Sequence, residues 1–163
     1  MEKLTKIEDF IEKIERWLAF IFLALMLAVV FWAVIERFII RAGQGWSDEL
    51  ARYLSIWAAM IGAGIGVRHK IHVSVDAFVN TLGPKHKYFI DIITNIVCVI
   101  FCIMLVYTGY YVTVKLVETQ QLSSGMELPM YLPYMAVPVG AFLMLFHYCM
   151  SLLKLLADKS LTK

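Results

Sequence analysis

The imidazoles and thiols able to ligate a metal or a haem are few: His69, His72, His86 and His147, with Cys98, Cys102 and Cys149. Cys98 and Cys102 stand four residues apart, which puts two thiols on one helix face. A tetrahedral metal site needs two more ligands, and no second pair accompanies them, so they read as small apolar packing residues. A bis-histidine haem needs two axial imidazoles facing each other inside the bundle. Three of the histidines fall in one polar stretch, and His147 alone lies in a long apolar run, toward its end. There it reads as an interfacial residue with an apolar body and a polar tip. His69 and His72 have only Asp76 nearby as a further ligand, short of a zinc set. No catalytic triad and no phosphate loop is present. The sequence therefore assigns no catalytic, cofactor-binding or metal-ligating residue to this chain.

The charged side chains repeat the message. Glu36, Arg37, Arg52, Asp91 and Lys115 all lie near the ends of apolar runs, and the runs themselves are free of Asp, Glu, Lys and Arg. A channel or carrier would place ionisable groups at mid-membrane, facing a path. The one patterned charge motif is Asp48-Glu49 followed by Arg52. Ser47 is the expected N-cap of a helix opening there, and the two acids suit its positive end. Arg52 lies three and four residues beyond them, so it is expected to pair with both.

The elements that carry these residues are long and apolar. Of 163 residues, 61% are hydrophobic and 17% charged, with a mean hydropathy of +0.73. A soluble domain has about 25% charged residues. The uncharged runs are Trp17–Ile35, Tyr53–Val67, Ile92–Val114 and Leu128–Leu153, and a spanning helix needs about 20 apolar residues. The fold expected is an all-α membrane protein, one integral domain over 1–163, with transmembrane helices near 17–36, 51–67, 88–114 and 128–153. The pieces between them are too short to bury a core of their own. That excludes a soluble enzyme and a nucleic-acid binder, and the net charge of +2 argues for no polyanionic partner.

Residues 1–16 mix acids and bases and so do not read as a signal-peptide n-region; the first span is expected to stay uncleaved. Leu4, Ile7, Ile11, Ile14 and Leu18 recur at spacings of three and four, an amphipathic pattern. The expected arrangement is a helix lying in the membrane interface; the alternative is a plain extension of the first span into water. Glu2–Lys6, Asp9–Lys13 and Glu12–Arg16 are spaced for ion pairs along it. Lys and Arg divide eleven to four in favour of the side holding both termini and residues 68–87, so both termini are expected in the cytoplasm. After Arg68, the sequence alternates through His72 to Asp76, an N-cap for a short interfacial helix ended by Gly83-Pro84. Pro129, Pro133 and Pro138 predict an irregular start to the fourth span. On the second span Ala58, Gly62 and Gly66, and beside them Ala59 and Ala63, repeat at four-residue spacing, a close-approach pattern of membrane helices that serves packing within the chain or against a partner. Trp17 and Trp46 fit interfacial belts, and Trp57 reads as a packing or partner-contact residue.

The stretch Trp46-Ser47-Asp48-Glu49-Leu50-Ala51-Arg52-Tyr53-Leu54, continuing through Trp57, Gly62 and Arg68 to His72-Val73-Ser74-Val75-Asp76, resembles the DctQ-like small membrane subunit of tripartite ATP-independent periplasmic (TRAP) transporters. A second match lies in Leu128-Pro129-Met130, Tyr134, Ala136 and Pro138-Val139-Gly140, similar to that family's entry into its last span. Asp48 stands where many members carry glutamate, a change that keeps the charge.

The resemblance implies a scaffold subunit of a sodium-coupled secondary transporter in the bacterial inner membrane. It implies a larger, elevator-type membrane subunit that holds the solute and sodium sites, and a periplasmic binding protein that delivers a small organic anion, of the sialic acid or C4-dicarboxylate class. No cofactor is expected on this chain. Its expected partners are those two proteins and membrane phospholipids, with no nucleic acid. The candidate interface residues are Trp46, Asp48, Glu49, Arg52, Trp57, Ala58, Gly62, Gly66, His72, Asp76, Pro129, Tyr134, Pro138 and Gly140. The competing readings are a membrane anchor of a respiratory redox enzyme, which the single span histidine argues against, and a small self-assembling channel or exporter.

Overall fold

The structure is a computed structural model, and it describes residues 2–41, 45–69 and 84–157, with 2–4 and 84–87 through their backbone alone. The described residues are helical throughout, apart from the turns between helices and one isolated bridge, Leu122 with Pro129. Helix α1 runs Glu2–Ile35 and closes in a π turn, Glu36–Ile40. It is followed by α2, Trp46–Arg68, α3, Pro84–Glu118, a single turn α4, Tyr131–Tyr134, and α5, Ala136–Ala157. Four segments are long and apolar enough to cross a membrane: Thr5–Ile40, Trp46–Arg68, Tyr88–Glu118 and Tyr131–Ala157. An all-α membrane protein is thus what the chain forms.

The 34 residues of α1 rise about 51 Å at roughly 1.5 Å each. That exceeds a hydrocarbon core of about 30 Å. The N-terminal segment is therefore no separate element: it is the first half of a helix continuous with the first span. Its apolar face, with Ile7, Phe10, Ile14 and Leu18, is exposed. The face expected in water is instead buried, through Glu8, Glu12 and Glu15. The short helix expected between 71 and 82, with His72 and Asp76, lies outside the described residues.

The long helices pack in the order α1, α2, α5, α3, each chiefly on its neighbour in that row. Two close approaches fix the row, and both use glycines. A Cβ on Gly140 of α5 would lie 2.6 Å from Met60 Cβ and 2.9 Å from the Met60 carbonyl oxygen on α2. A Cβ on Gly109 of α3 would lie 2.9 Å from Pro138 Cδ on α5. Small side chains at such points let backbones meet, which is how membrane helices gain contact without a hydrophobic driving force. The core between α2, α3 and α5 is small: Val67, Cys102 and Tyr148, flanked by Cys98, Val99, Met144 and Leu145. The two cysteines of α3 are thus packing residues.

The irregular entry to the last span is present. The helix is interrupted at the single turn residue Met135, between α4 and α5, while the amides of Met135 and Val139 keep helical bonds to Tyr131 and Met135. Pro133 and Pro138 stand at the third residue of α4 and of α5, where an absent N–H costs little because first-turn amides have no helical partner.

Candidate functional site

Two polar clusters occupy opposite ends of the helix row. The first gathers where the start of α1 crosses the last turn of α2 and the second half of α5. Glu8, Glu12 and Glu15 stand at i, i+4 and i+7 on α1, so one helix face carries all three inward. The guanidinium of Arg68, at the end of α2, donates to the Glu8 carbonyl oxygen at 2.7 Å and pairs with Asp9 and Glu12. Glu12 also pairs with Arg16 and lies 2.8 Å from His69 Nε2. From α5, Lys154 pairs with Glu8. His147 Nε2 lies 3.0 Å and 3.2 Å from the two carboxylate oxygens of Glu15. His147 Nδ1 lies 3.8 Å from Glu8 Oε1.

This cluster corrects the reading of His147 as an interfacial side chain. It is 1% exposed and Glu15 is 2% exposed, so the imidazole is a buried joint between α5 and α1. Of the ion pairs expected along α1, Glu12–Arg16 forms, whereas Asp9 turns to Arg68. Buried charges persist where they are paired and hydrogen-bonded. The signal was present in the sequence: the acids repeat at the same three-and-four spacing as the apolar stripe, rotated by one residue. What the spacing cannot carry is the identity of partners as far as 146 residues away.

The second cluster joins the π turn after α1, the start of α2 and the 119–130 loop. Ser47 does not cap α2. Gly45 occupies the N-cap without a side-chain bond, and the Ser47 hydroxyl donates to the buried Glu36 carboxylate at 2.9 Å. Asp48 pairs with Arg37 at 2.9 Å. Glu49 accepts the Tyr53 hydroxyl and, at 2.9 Å, the Gly125 amide. A Cβ on Gly125 would lie 2.7 Å from Glu49 Oε2, so a glycine is what lets the loop reach the carboxylate. The loop is closed by Ser123 N–H to Leu128 O at 2.9 Å and Met130 N–H to Gln121 O at 2.9 Å, with Gln120 and Glu127 at positive φ.

The acids expected on Arg52 are therefore engaged elsewhere. Arg52 is exposed and forms no ion pair among the described residues. It rims a cleft of about 560 Å³ with Glu49, Tyr53, Ile56, Met130 and Tyr134.

The remaining interface candidates divide. Trp57 stacks on Phe22 of α1, with ring centroids 5.7 Å apart. Pro129 sits in the bridge to Leu122, and Pro138 and Gly140 are consumed in packing within the chain. Trp46 is half-buried and Tyr134 exposed. Ala58, Gly62 and Gly66 are partly exposed, and a Cβ on either glycine meets nothing within 4 Å. The glycine of α2 in close contact is instead Gly64, whose Cβ would lie 3.2 Å from Glu15 Oε1 and 3.5 Å from Leu143 Cβ.

Among the described residues no group of three or more His, Cys, Asp or Glu is disposed to hold a metal ion. Neither cluster sets a nucleophile beside a base. Both arrange charge so that helices are joined.

Residues 26–158 match the family described as "Tripartite ATP-independent periplasmic transporters, DctQ component". The C4-dicarboxylate TRAP transporter small permease protein DctQ of Rhodobacter capsulatus is 35% identical over 104 residues, 63% of this chain and 45% of that protein. A putative TRAP transporter small permease protein of Haemophilus influenzae is 33% identical over 103 residues, 63% of this chain and 64% of its own length. The chain thus matches between about half and two thirds of the length of these relatives. In a second strain of that species, the sialic acid TRAP transporter permease protein SiaT is 27% identical over 96 residues, 59% of this chain but 15% of that much longer protein.

Proposed function

The chain belongs to the DctQ component family of tripartite ATP-independent periplasmic transporters, a transporter subunit and not an enzyme, and from that premise we propose that it is the scaffold subunit packed against a large, elevator-type permease chain. The observation that carries the reading is the match to SiaT, where a segment like this one fills 15% of a single longer permease chain. A small unit joined in one polypeptide to the remainder works at fixed stoichiometry beside it. The exposed faces of the row fit that role: the Ala58, Gly62 and Gly66 face of α2 is open, and small residues of this spacing suit close approach of another helix.

In this reading the solute and sodium sites belong to the large subunit, and this chain holds no cofactor. The absence of acids and bases from the middle of its apolar runs agrees with that division of labour. The solute is a small organic anion, of the C4-dicarboxylate or sialic acid class, and a periplasmic binding protein brings it to the outer loops, 37–50 and 115–127. The membrane is the bacterial inner membrane with both termini in the cytoplasm, supported by the Lys and Arg bias, and phospholipids cover the remaining apolar faces.

Purification of the chain with and without its large permease neighbour tests the proposal. Co-purification as a stoichiometric complex, with loss of solute uptake when the small chain is deleted, is the expected outcome. Failure to co-purify, with uptake intact after deletion, would overturn it.

A further inference from the structure

The buried Glu15 beside His147 has no permanent cation as a partner among the described residues. Three buried carboxylates meet there, Glu8, Glu12 and Glu15, with the exposed Asp9 beside them and the cations Arg16, Arg68 and Lys154 around them. The cations are all committed away from Glu15. Arg68 holds the Glu8 carbonyl, Asp9 and Glu12; Arg16 holds Glu12; Lys154 holds Glu8. His69 is half-exposed and also turned to Glu12. On the far side of α5, α3 presents Cys98 and Cys102 to Tyr148. Glu15, 2% exposed, is left with His147 as its hydrogen-bonding partner among the described residues. An isolated buried carboxylate costs several kcal/mol, so this one needs a positive charge beside it.

The imidazole geometry says where that charge sits. Nε2 faces Glu15 at 3.0 Å, and Nδ1, which is buried and has no hydrogen-bond partner, is 3.8 Å from Glu8 Oε1. A neutral imidazole has one N–H and one lone pair. With the proton on Nε2, the lone pair of Nδ1 faces the Glu8 carboxylate. With the proton on Nδ1, the lone pair of Nε2 faces Glu15. Either tautomer sets lone pair against anion, and only the doubly protonated ring presents an N–H to both acids.

We propose that Glu8, Glu15 and His147 form a proton-binding site, in which a histidinium bridges two carboxylates and latches the first half of α1 onto α5. Gly64 makes room for it, since a side chain there would meet Glu15 Oε1. The latch needs the second ring proton: without it a lone pair faces one of the two carboxylates and the contact between α1 and α5 is lost. Arg68 still tethers Glu8 and Glu12 to α2 in that state, so opening is local to the α1–α5 contact.

The test is a side-chain ¹⁵N spectrum of His147 in the full chain in phospholipid nanodiscs, from about pH 6 to about pH 9, the range in which histidine changes charge. Phe146-His147 is the one Phe-His dipeptide in the sequence, so labelled Phe carbonyl and His nitrogen select the residue without mutation. Two protonated ring nitrogens at neutral pH are expected, together with faster amide exchange over residues 5–15, beyond the intrinsic pH effect, once the second proton leaves. In Glu15→Gln, which keeps the shape and removes the charge, the second ring proton is lost at neutral pH. One protonated nitrogen at neutral pH in the unmodified chain, or an unchanged titration in Glu15→Gln, overturns the site. Exchange over 5–15 that does not follow the deprotonation overturns the latch.

Discussion

Glu15 and His147 are 132 positions apart in the chain and meet at 3.0 Å inside it, both nearly inaccessible to solvent. The contact ties the first long helix to the last, which otherwise pack chiefly on α2 and on α2 and α3. It makes the charged half of α1 a structural part of the bundle.

Replacement of Glu15 by alanine leaves a buried imidazole without its acceptor. Breaking one side of a buried pair costs about 3–5 kcal/mol. Thermal unfolding of the purified chain in detergent is expected to shift sharply downward. An unchanged midpoint would mean that the pair contributes nothing to stability.

Glycines on neighbouring helices should behave differently. Gly140→Ala sets a methyl within 2.9 Å of the Met60 carbonyl oxygen, and overpacking of this kind costs about 1–3 kcal/mol. The yield and stability of the isolated chain should fall. Gly62→Leu meets nothing within the chain, so the isolated subunit should fold as before while its complex with the large permease weakens. Gel filtration of the subunit alone and of the co-expressed pair separates the two effects; equal loss in both preparations would place Gly62 inside the subunit's own packing.

Arg52 is free of ion pairs among the described residues and exposed at the rim of the cleft it shares with Glu49 and Tyr53. Arg52→Ala should leave the melting of the isolated chain unaltered and reduce co-purification or uptake. Normal assembly and uptake in that variant would remove Arg52 from the interface.

Glu49 holds the 119–130 loop by accepting the Gly125 amide. Glu49→Ala should raise hydrogen exchange at Gly125 and its neighbours and leave α5 protected. Exchange unchanged at Gly125 would show that the loop keeps its position through the Ser123–Leu128 bonds alone.

The spans, their approximate ends and the disturbed entry to the last helix were legible along the sequence, because removal of apolar surface from water and the missing amide of proline act locally. So was the family, through Trp46 to Asp76 and Leu128 to Gly140. The small-residue pattern on α2 was legible as a pattern, yet its use was not. Gly64, outside both marked stripes, is the glycine of α2 that meets Leu143 of α5 and Glu15, and the face with Gly62 and Gly66 is left open. Rotation of a helix about its axis is set by its neighbours. The same holds for Ser47, which bonds Glu36 where a cap was expected, and for Asp48 and Glu49, which leave Arg52 for Arg37 and for the Gly125 amide.

By itself the sequence determined that this chain lives in a membrane, how many times its helices are able to cross it, and which transporter family it joins, since hydropathy and local motifs depend on residues close together. Only the tertiary structure decided which face of α1 is inside. An acidic stripe and an apolar stripe of equal period are equivalent along one helix. Arg68, Lys154 and His147, brought from 60, 146 and 132 residues away, make the acidic one the buried one, because a buried charge is tolerated only where its counter-charge has been brought to meet it.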